Sequence, residues 1–264
     1  MLAARKITLA ALLLAGSMLL EGMALADTTS AAYDGAIQAK VAAQLQKKSE
    51  FKDIRASVED GIVTLSGATD SLPHKLDAAK KARKQEHVAG VRDLIAVAGP
   101  EVSDSALRQT LARKLAYDRV GYGNVWNVLT VEVGNGVATI GGEVRNPVDR
   151  DSAIAEVVNT KGVKGVVENI KVAPTSLFDD QLRIRTARAI YRDPSLSRYG
   201  MDPQAPIRIV VNNGHVGLYG VVSSEFDRIV AGIRANEVAG AFSVENHLLT
   251  EKSAIDSELL ALSF

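Results

Sequence analysis

Apolar and polar positions alternate with period two on both sides of three short turn sequences. Before the turns the apolar positions are Ile54, Ala56 and Val58, then Leu129, Val131 and Val133, then Ile207, Ile209 and Val211. After the turns come Val63 and Leu65, Ala138 and Ile140, Val216 and Leu218. The turns are Asp60-Gly61, Asn135-Gly136 and Asn213-Gly214. Such pairs favour the type I′ turn, in which both central residues need positive φ. Alternation around such a pair predicts a β-hairpin with one buried face. The phrases DGIVTLSG at 60–67, NGVATIGG at 135–142 and NGHVGLYG at 213–220 recur at intervals of 75 and 78 residues.

The spacing then changes to that of helices. Ser71, Asn146 and Ser224 fall in register after the hairpins and suit the N-cap, and Pro147 suits the first helical position. Leu76, Ala79 and Ala82 follow in the first copy, Ala153, Ile154 and Val157 in the second, and Ile229, Val230 and Ile233 in the third. Each copy closes on an aliphatic strand, at 88–97, 163–172 and 241–249. A helix also precedes each hairpin: Ile37, Val41 and Leu45, then Leu107, Leu111 and Leu115, then Leu182 and Ile190 with Ala187 and Ala189. Asp104 and Asp179 stand where caps are expected. The prediction is an α+β (α/β) chain of three tandem small domains. Each is αββαβ, with a three-stranded mixed sheet packed on two helices and a right-handed crossover between its last two strands. Gly99-Pro100 and Ala173-Pro174 mark boundaries, giving domains at 27–99, 100–174 and 175–251 and a tail at 252–264.

The first 26 residues read as a signal peptide. Arg5 and Lys6 precede an apolar run from Ile7 to Leu20, and Ala24-Leu25-Ala26 forms a cleavage site. The run is shorter than the roughly 20 residues a membrane-spanning helix needs. An exported, periplasmic protein is expected. The 264 residues hold 31 basic and 31 acidic side chains; losing Arg5, Lys6 and Glu21 leaves a net of −1. That balance argues against a dedicated nucleic-acid binder. With no cysteine, disulfides, thiolate metal sites and a lipidated N-terminal cysteine are excluded.

The units resemble BON domains, modules of the bacterial envelope. The resemblance rests on a helix with spaced aliphatics, then D/N-G-x-V-x-L-x-G, a second helix, and G-V-x-x-V opening an aliphatic strand. The second copy carries it most fully, through Gly162-Val163-Lys164-Gly165-Val166. The first copy has His87 where the glycine is expected, and the third has Ala241 after Gly240. The resemblance implies the fold already read from pattern. It also implies phospholipid binding and a role in envelope integrity or osmotic stress.

The copies differ most between the first helix and the first strand, where the second and third gain five and eight residues. The added material is RVGYGNVWN at 119–127 and SLSRYGMDPQAP at 195–206. Loops carry binding functions disproportionately, and Tyr and Trp suit membrane or partner contacts. Two readings stay open. The loop aromatics fold back as a lid over the helix–sheet seam, or they form a contact surface. In the second, Tyr122, Trp126, Tyr199 and Met201 insert shallowly into a membrane while Arg119 and Arg198 meet anionic headgroups. The basic run Lys80, Lys81, Arg83 and Lys84 reads as a solvated helix face, or as a contact for anionic lipid.

Catalytic chemistry has little to stand on. No G-x-S-x-G, H-E-x-x-H or phosphate-loop sequence occurs. His215 and His247 lie on the last copy's second and third strands and are candidates to approach each other, but two histidines make a poor metal site. Asp179-Asp180 reads as helix-dipole complement. The expectation is a non-enzymatic protein with no cofactor and no metal, binding anionic phospholipid surfaces or envelope proteins. The alternative is a chaperone-like periplasmic protein that binds unfolded clients.

Overall fold

The computed structural model describes residues 31–117, 123–204 and 206–256. The expected signal peptide, and the part of the tail after residue 256, lie outside the described residues.

Three units follow one another. The first holds α1 (Asp34–Leu45), β1 (Ile54–Glu59), β2 (Ile62–Thr69), α2 (Leu72–Arg83) and β3 (Gly90–Val97). The second holds α3 (Asp104–Tyr117), β4 (Val128–Gly134), β5 (Val137–Val144), α4 (Pro147–Val158) and β6 (Gly165–Val172). The third holds α5 (Leu177–Tyr191), the short α6 (Ser197–Gly200), β7 (Ile207–Asn212), β8 (His215–Val222), α7 (Glu225–Asn236) and β9 (Ser243–Thr250). A last helix, α8 (Glu251–Asp256), opens the tail and buries Ala254. Each sheet places its second strand in the middle. The hairpin pairs are antiparallel, and β5–β6 and β8–β9 are parallel, as the helical crossover requires. The residues of the first sheet form one compact body, and the second and third sheets share another.

Each unit has its own core, built from the inward strand positions and both helices. Ile37, Val41 and Leu45 meet Val63, Leu65 and Ile95 in the first. Leu107, Leu111 and Leu115 meet Val131 and Ile140 in the second, and Leu182 and Ile190 meet Ile209 and Leu218 in the third. On α5, Thr186 fills the buried position between Leu182 and Ile190.

The second helices follow the expected stripes in part: Ala79, Ala82, Ala153 and Val157 are buried, and Ile154 and Val230 pack against the cores. Leu76, Ile229 and Ile233 face solvent, 45%, 48% and 50% exposed. In α2 the expected Ala79 and Ala82 are joined on the buried face by Ala78, and in α7 the buried face is Ala231, Gly232 and Ala235 in place of the expected isoleucines. The approach is close. A methyl group at Gly232 would lie 2.8 Å from the Asn246 side-chain nitrogen. Helical period alone cannot show that small residues win the inward face when the helix lies this near its sheet.

The hairpin turns are type I′ as predicted, with φ of 50° and 74° at Asp60-Gly61, 53° and 76° at Asn135-Gly136, and 50° and 80° at Asn213-Gly214. The last glycine of each phrase has a separate reason. Gly67, Gly142 and Gly220 have φ of 108°, 105° and 118°, and a Cβ there would lie 2.0, 2.0 and 1.9 Å from a carbonyl oxygen of the neighbouring strand segment. Only glycine fits. His87 takes φ 65° where Gly162 and Gly240 stand in the other copies, and its ring stacks on Tyr33 with centroids 4.0 Å apart.

The caps also differ from expectation. Ser176, not Asp179, caps α5 by accepting from the Asp179 N–H, and Ser103 accepts from Ala106 at the start of α3. The aspartates reach elsewhere. Asp34 accepts from the turn N–H groups of Asp60 and Gly61, Asp104 from those of Asn135 and Gly136, and Asp179 from those of Asn213 and Gly214. Asn146 and Ser224 do cap α4 and α7.

Candidate interaction surface

The inserted loop of the third unit folds inward. Tyr199 is 7% exposed and its ring belongs to the third core. Its hydroxyl accepts from the Ser223 N–H at 2.8 Å and lies 3.0 Å from the Asp227 carboxylate. Arg198 donates to the same carboxylate at 2.6 Å, to the Tyr199 hydroxyl at 3.0 Å and to the Ser195 carbonyl at 2.6 Å. The Ser224 hydroxyl adds a third contact to the carboxylate at 2.8 Å. Asp227, almost fully buried, is thus a satisfied structural centre: its charge is met by one guanidinium and two hydroxyls. Of this loop's predicted contact residues only Met201 stands free, 79% exposed.

In the second unit, Arg119 and Tyr122 lie outside the described residues. Asn124–Trp126 forms a 3₁₀ turn, and Val125 and Trp126 pack against the core of the third unit. Asn127 is fully buried; its side chain accepts from the Arg145 N–H, and its carbonyl accepts from the buried Arg208 of β7. Arg145 also donates to Asp180 at 3.2 Å, and Asp180 accepts from Arg183 at 2.8 Å. The inserted segment and its neighbours therefore join the second unit to the edge strand of the third. A lid over the seam was one sequence reading; the seam covered is the adjacent unit's. Burial pushes the Glu143 carboxyl of β5 up against the opposing pull of Arg183 and Lys171.

The histidine pair does not form. His215 lies 2.7 Å from the Ser243 hydroxyl, while His247 stacks on Tyr219 and contacts Glu245. Parallel register sets His215 opposite Ser243 and His247 opposite Tyr219, so the two imidazoles are spread along the strands. Among the described residues no group of three His, Asp or Glu side chains is placed to hold a metal ion, and no helix is long and apolar enough to cross a membrane.

What pattern reading missed is an exposed apolar tip at the turn end of the third unit. Leu177 is 81% exposed, Phe242 73% and Phe178 44%. The two phenyl rings stack at 6.1 Å, and His215 sits edge-on to Phe242 at 6.1 Å. The Arg185 guanidinium and the Phe178 ring both border Gly240. Asp179 clamps this turn, so Phe178, the residue before it, is carried to the tip. The sequence signal was Leu177, out of phase with Leu182 and Ile190, next to Phe178, which lies one i, i+4 step ahead of Leu182 at the very start of the helix. A second exposed stripe, Phe226, Ile229 and Ile233, runs along α7.

The family model of the BON domain matches three stretches, residues 33–99, 103–174 and 181–252. Among solved structures, the chain aligns with a protein described as CdsD, a structural protein of the type III secretion system of Chlamydia trachomatis. That match has 16% identity over 83% of this chain and 95% of the other, with a TM-score of 0.22. The C-terminal domain of CdsD aligns at 14% identity over 80% and 96%, also with a TM-score of 0.22. Similarity this low carries no functional argument. No curated protein matches.

Proposed function

The chain belongs to the BON-domain family, and from that premise we propose that it is an exported envelope protein that binds anionic phospholipid surfaces through the tip of its third unit. BON domains mark membrane- or envelope-associated proteins and are generally non-catalytic. The observation that carries the reading is the tip itself. Leu177, Phe178 and Phe242 are large, exposed and adjacent, and none of them belongs to the core of the third unit. Exposed apolar clusters of this kind mark protein or membrane contacts. Arg185 beside them supplies the charge that an anionic headgroup needs. Met201 is a separate candidate contact from the third unit's inserted loop; Arg119 and Tyr122, outside the described residues, stay candidates on sequence grounds alone. A role in envelope integrity under osmotic stress is the setting we favour.

A second reading is supported by the α7 stripe. Phe226, Ile229 and Ile233 offer a helix-length apolar face suited to unfolded clients. Co-sedimentation of the chain with phosphatidylglycerol-containing and phosphatidylcholine vesicles separates the two. Binding to anionic vesicles that is lost in Phe178→Ser/Phe242→Ser supports the tip. Suppression of client aggregation without vesicle binding would replace it with the chaperone-like reading.

A further inference from the structure

We propose that the outer face of α2, in the first unit, is a second and electrostatic contact for an anionic phospholipid surface; this rests on the lipid reading above. The three units share a fold but not a charge at this position. Between Ser71 and His87 there are five basic and two acidic side chains, a balance of +3. The stretches in register, 146–162 and 224–240, each hold two basic and three acidic side chains, a balance of −1. In a chain with no net charge, α2 is a local concentration.

The cations divide by role. Lys75 donates to the Ile95 carbonyl at 2.8 Å, and Lys81 lies 3.8 Å from Asp77. Both are committed to the fold. Lys80, Arg83 and Lys84 are exposed and, among the described residues, form no ion pair. The nearest acids are taken: Asp77 meets Lys48 at 3.2 Å, and Glu86 meets Lys40 at 3.0 Å. With Leu76, 45% exposed, the three free cations fall at helical positions i, i+4, i+7 and i+8, a single face. Helix C-termini favour cations in general. Yet α4 ends with no basic residue in its last turn and α7 with Arg234 alone, so capping does not require three.

The partner follows from the geometry. Three flexible heads on one face, held by no hydrogen bond to each other or to the fold, offer no fixed fork for a particular carboxylate. They suit a plane of diffuse negative charge, where each cation near the surface strengthens binding about fivefold. The exposed Leu76 on the same face suits shallow contact with the acyl boundary.

The test is vesicle binding by the full chain and by Lys80→Gln/Arg83→Gln/Lys84→Gln, at low and moderate salt, with thermal unfolding as the folding control. The expected result is binding to phosphatidylglycerol vesicles weakened on the order of 100-fold at low salt. The salt dependence should be shallower, the unfolding unchanged, and phosphatidylcholine binding unaffected. A triple variant within twofold of wild type overturns the α2 contact. If Phe178→Ser/Phe242→Ser still loses binding in that case, the lipid reading itself stands. A wild-type chain that ignores anionic vesicles overturns both. Inorganic phosphate that displaces the chain more strongly than chloride at equal ionic strength assigns the face to free phosphate and overturns the surface contact.

Discussion

The carboxylate of Asp179 accepts both main-chain N–H groups of the β7–β8 turn, from Asn213 at 3.0 Å and from Gly214 at 2.8 Å. The same clamp joins Asp104 to Asn135 and Gly136, and Asp34 to Asp60 and Gly61, at 2.7–2.9 Å. A two-residue hairpin turn leaves its own N–H groups pointing away from the ladder. One aspartate at the start of the preceding helix satisfies both and fixes the helix against the hairpin. Asp179 is the most buried of the three, 1% exposed.

Removing that carboxylate leaves the buried Gly214 N–H and the partly buried Asn213 N–H without their acceptor. Asp179→Ala should cost about 1–3 kcal/mol, read as the shift in urea-unfolding midpoint. Asp34→Ala and Asp104→Ala, at partly exposed sites, should cost less. An Asp179→Ala change under about 0.5 kcal/mol, within the range of ordinary surface substitutions, would show that water replaces the clamp.

Gly142→Ala should prevent or severely weaken folding of the second unit, because its methyl group would sit 2.0 Å from the Val128 carbonyl at φ 105°. Gly134→Ala is the control. Nothing lies within 4 Å of its would-be methyl, so its thermal midpoint should stay close to wild type. Equal effects of the two substitutions would contradict the steric account.

Two carboxyls should bend the pH–stability curve in opposite directions. The Ser195 hydroxyl, the Arg234 guanidinium and the Ser195 N–H hold Asp193 down to about 2. Its contribution is present above the ordinary carboxylate range and is lost as pH falls toward 2. Glu143 is pushed up by burial, so its contribution is present below the ordinary range and is lost as pH rises through its folded value. Denaturant unfolding across pH 2–7 should show a shallower acid-side slope in Asp193→Asn, the remainder coming from other lowered carboxyls such as Asp180. Glu143→Gln should be relatively stabilising at neutral pH. A Glu143→Gln variant less stable than wild type at pH 7 would reverse the sign assigned to that site.

Trp126 packs on the third unit's core. Its emission should therefore be blue-shifted in the free chain and indifferent to anionic vesicles. Trp126→Ala should cost about 2 kcal/mol, less than a fully buried tryptophan, and leave vesicle binding intact. A lipid-dependent shift of the wild-type emission would return Trp126 to the contact surface.

The sequence alone determined the repeat, the order of elements, the type I′ turns, the Asn146 and Ser224 caps, and the first-helix stripes. These follow from φ demands and periodicities among residues a few positions apart, so a linear reading captures them. Tertiary structure decided the rest. The aspartate clamps bridge residues 26 to 35 positions apart. Leu76, Ile229 and Ile233 turn outward because a closely approaching sheet selects alanine and glycine for the inner face. Tyr199 is drawn inward by the hydrogen-bonding partners gathered at Asp227, and Trp126 by a core that belongs to the next unit. Phe178 and Phe242, 64 positions apart, meet at one tip because the clamped turn brings the start of α5 and the entry to β9 to the same end of the sheet. In each case the deciding partner is distant in the chain, and burial is settled only when the elements pack.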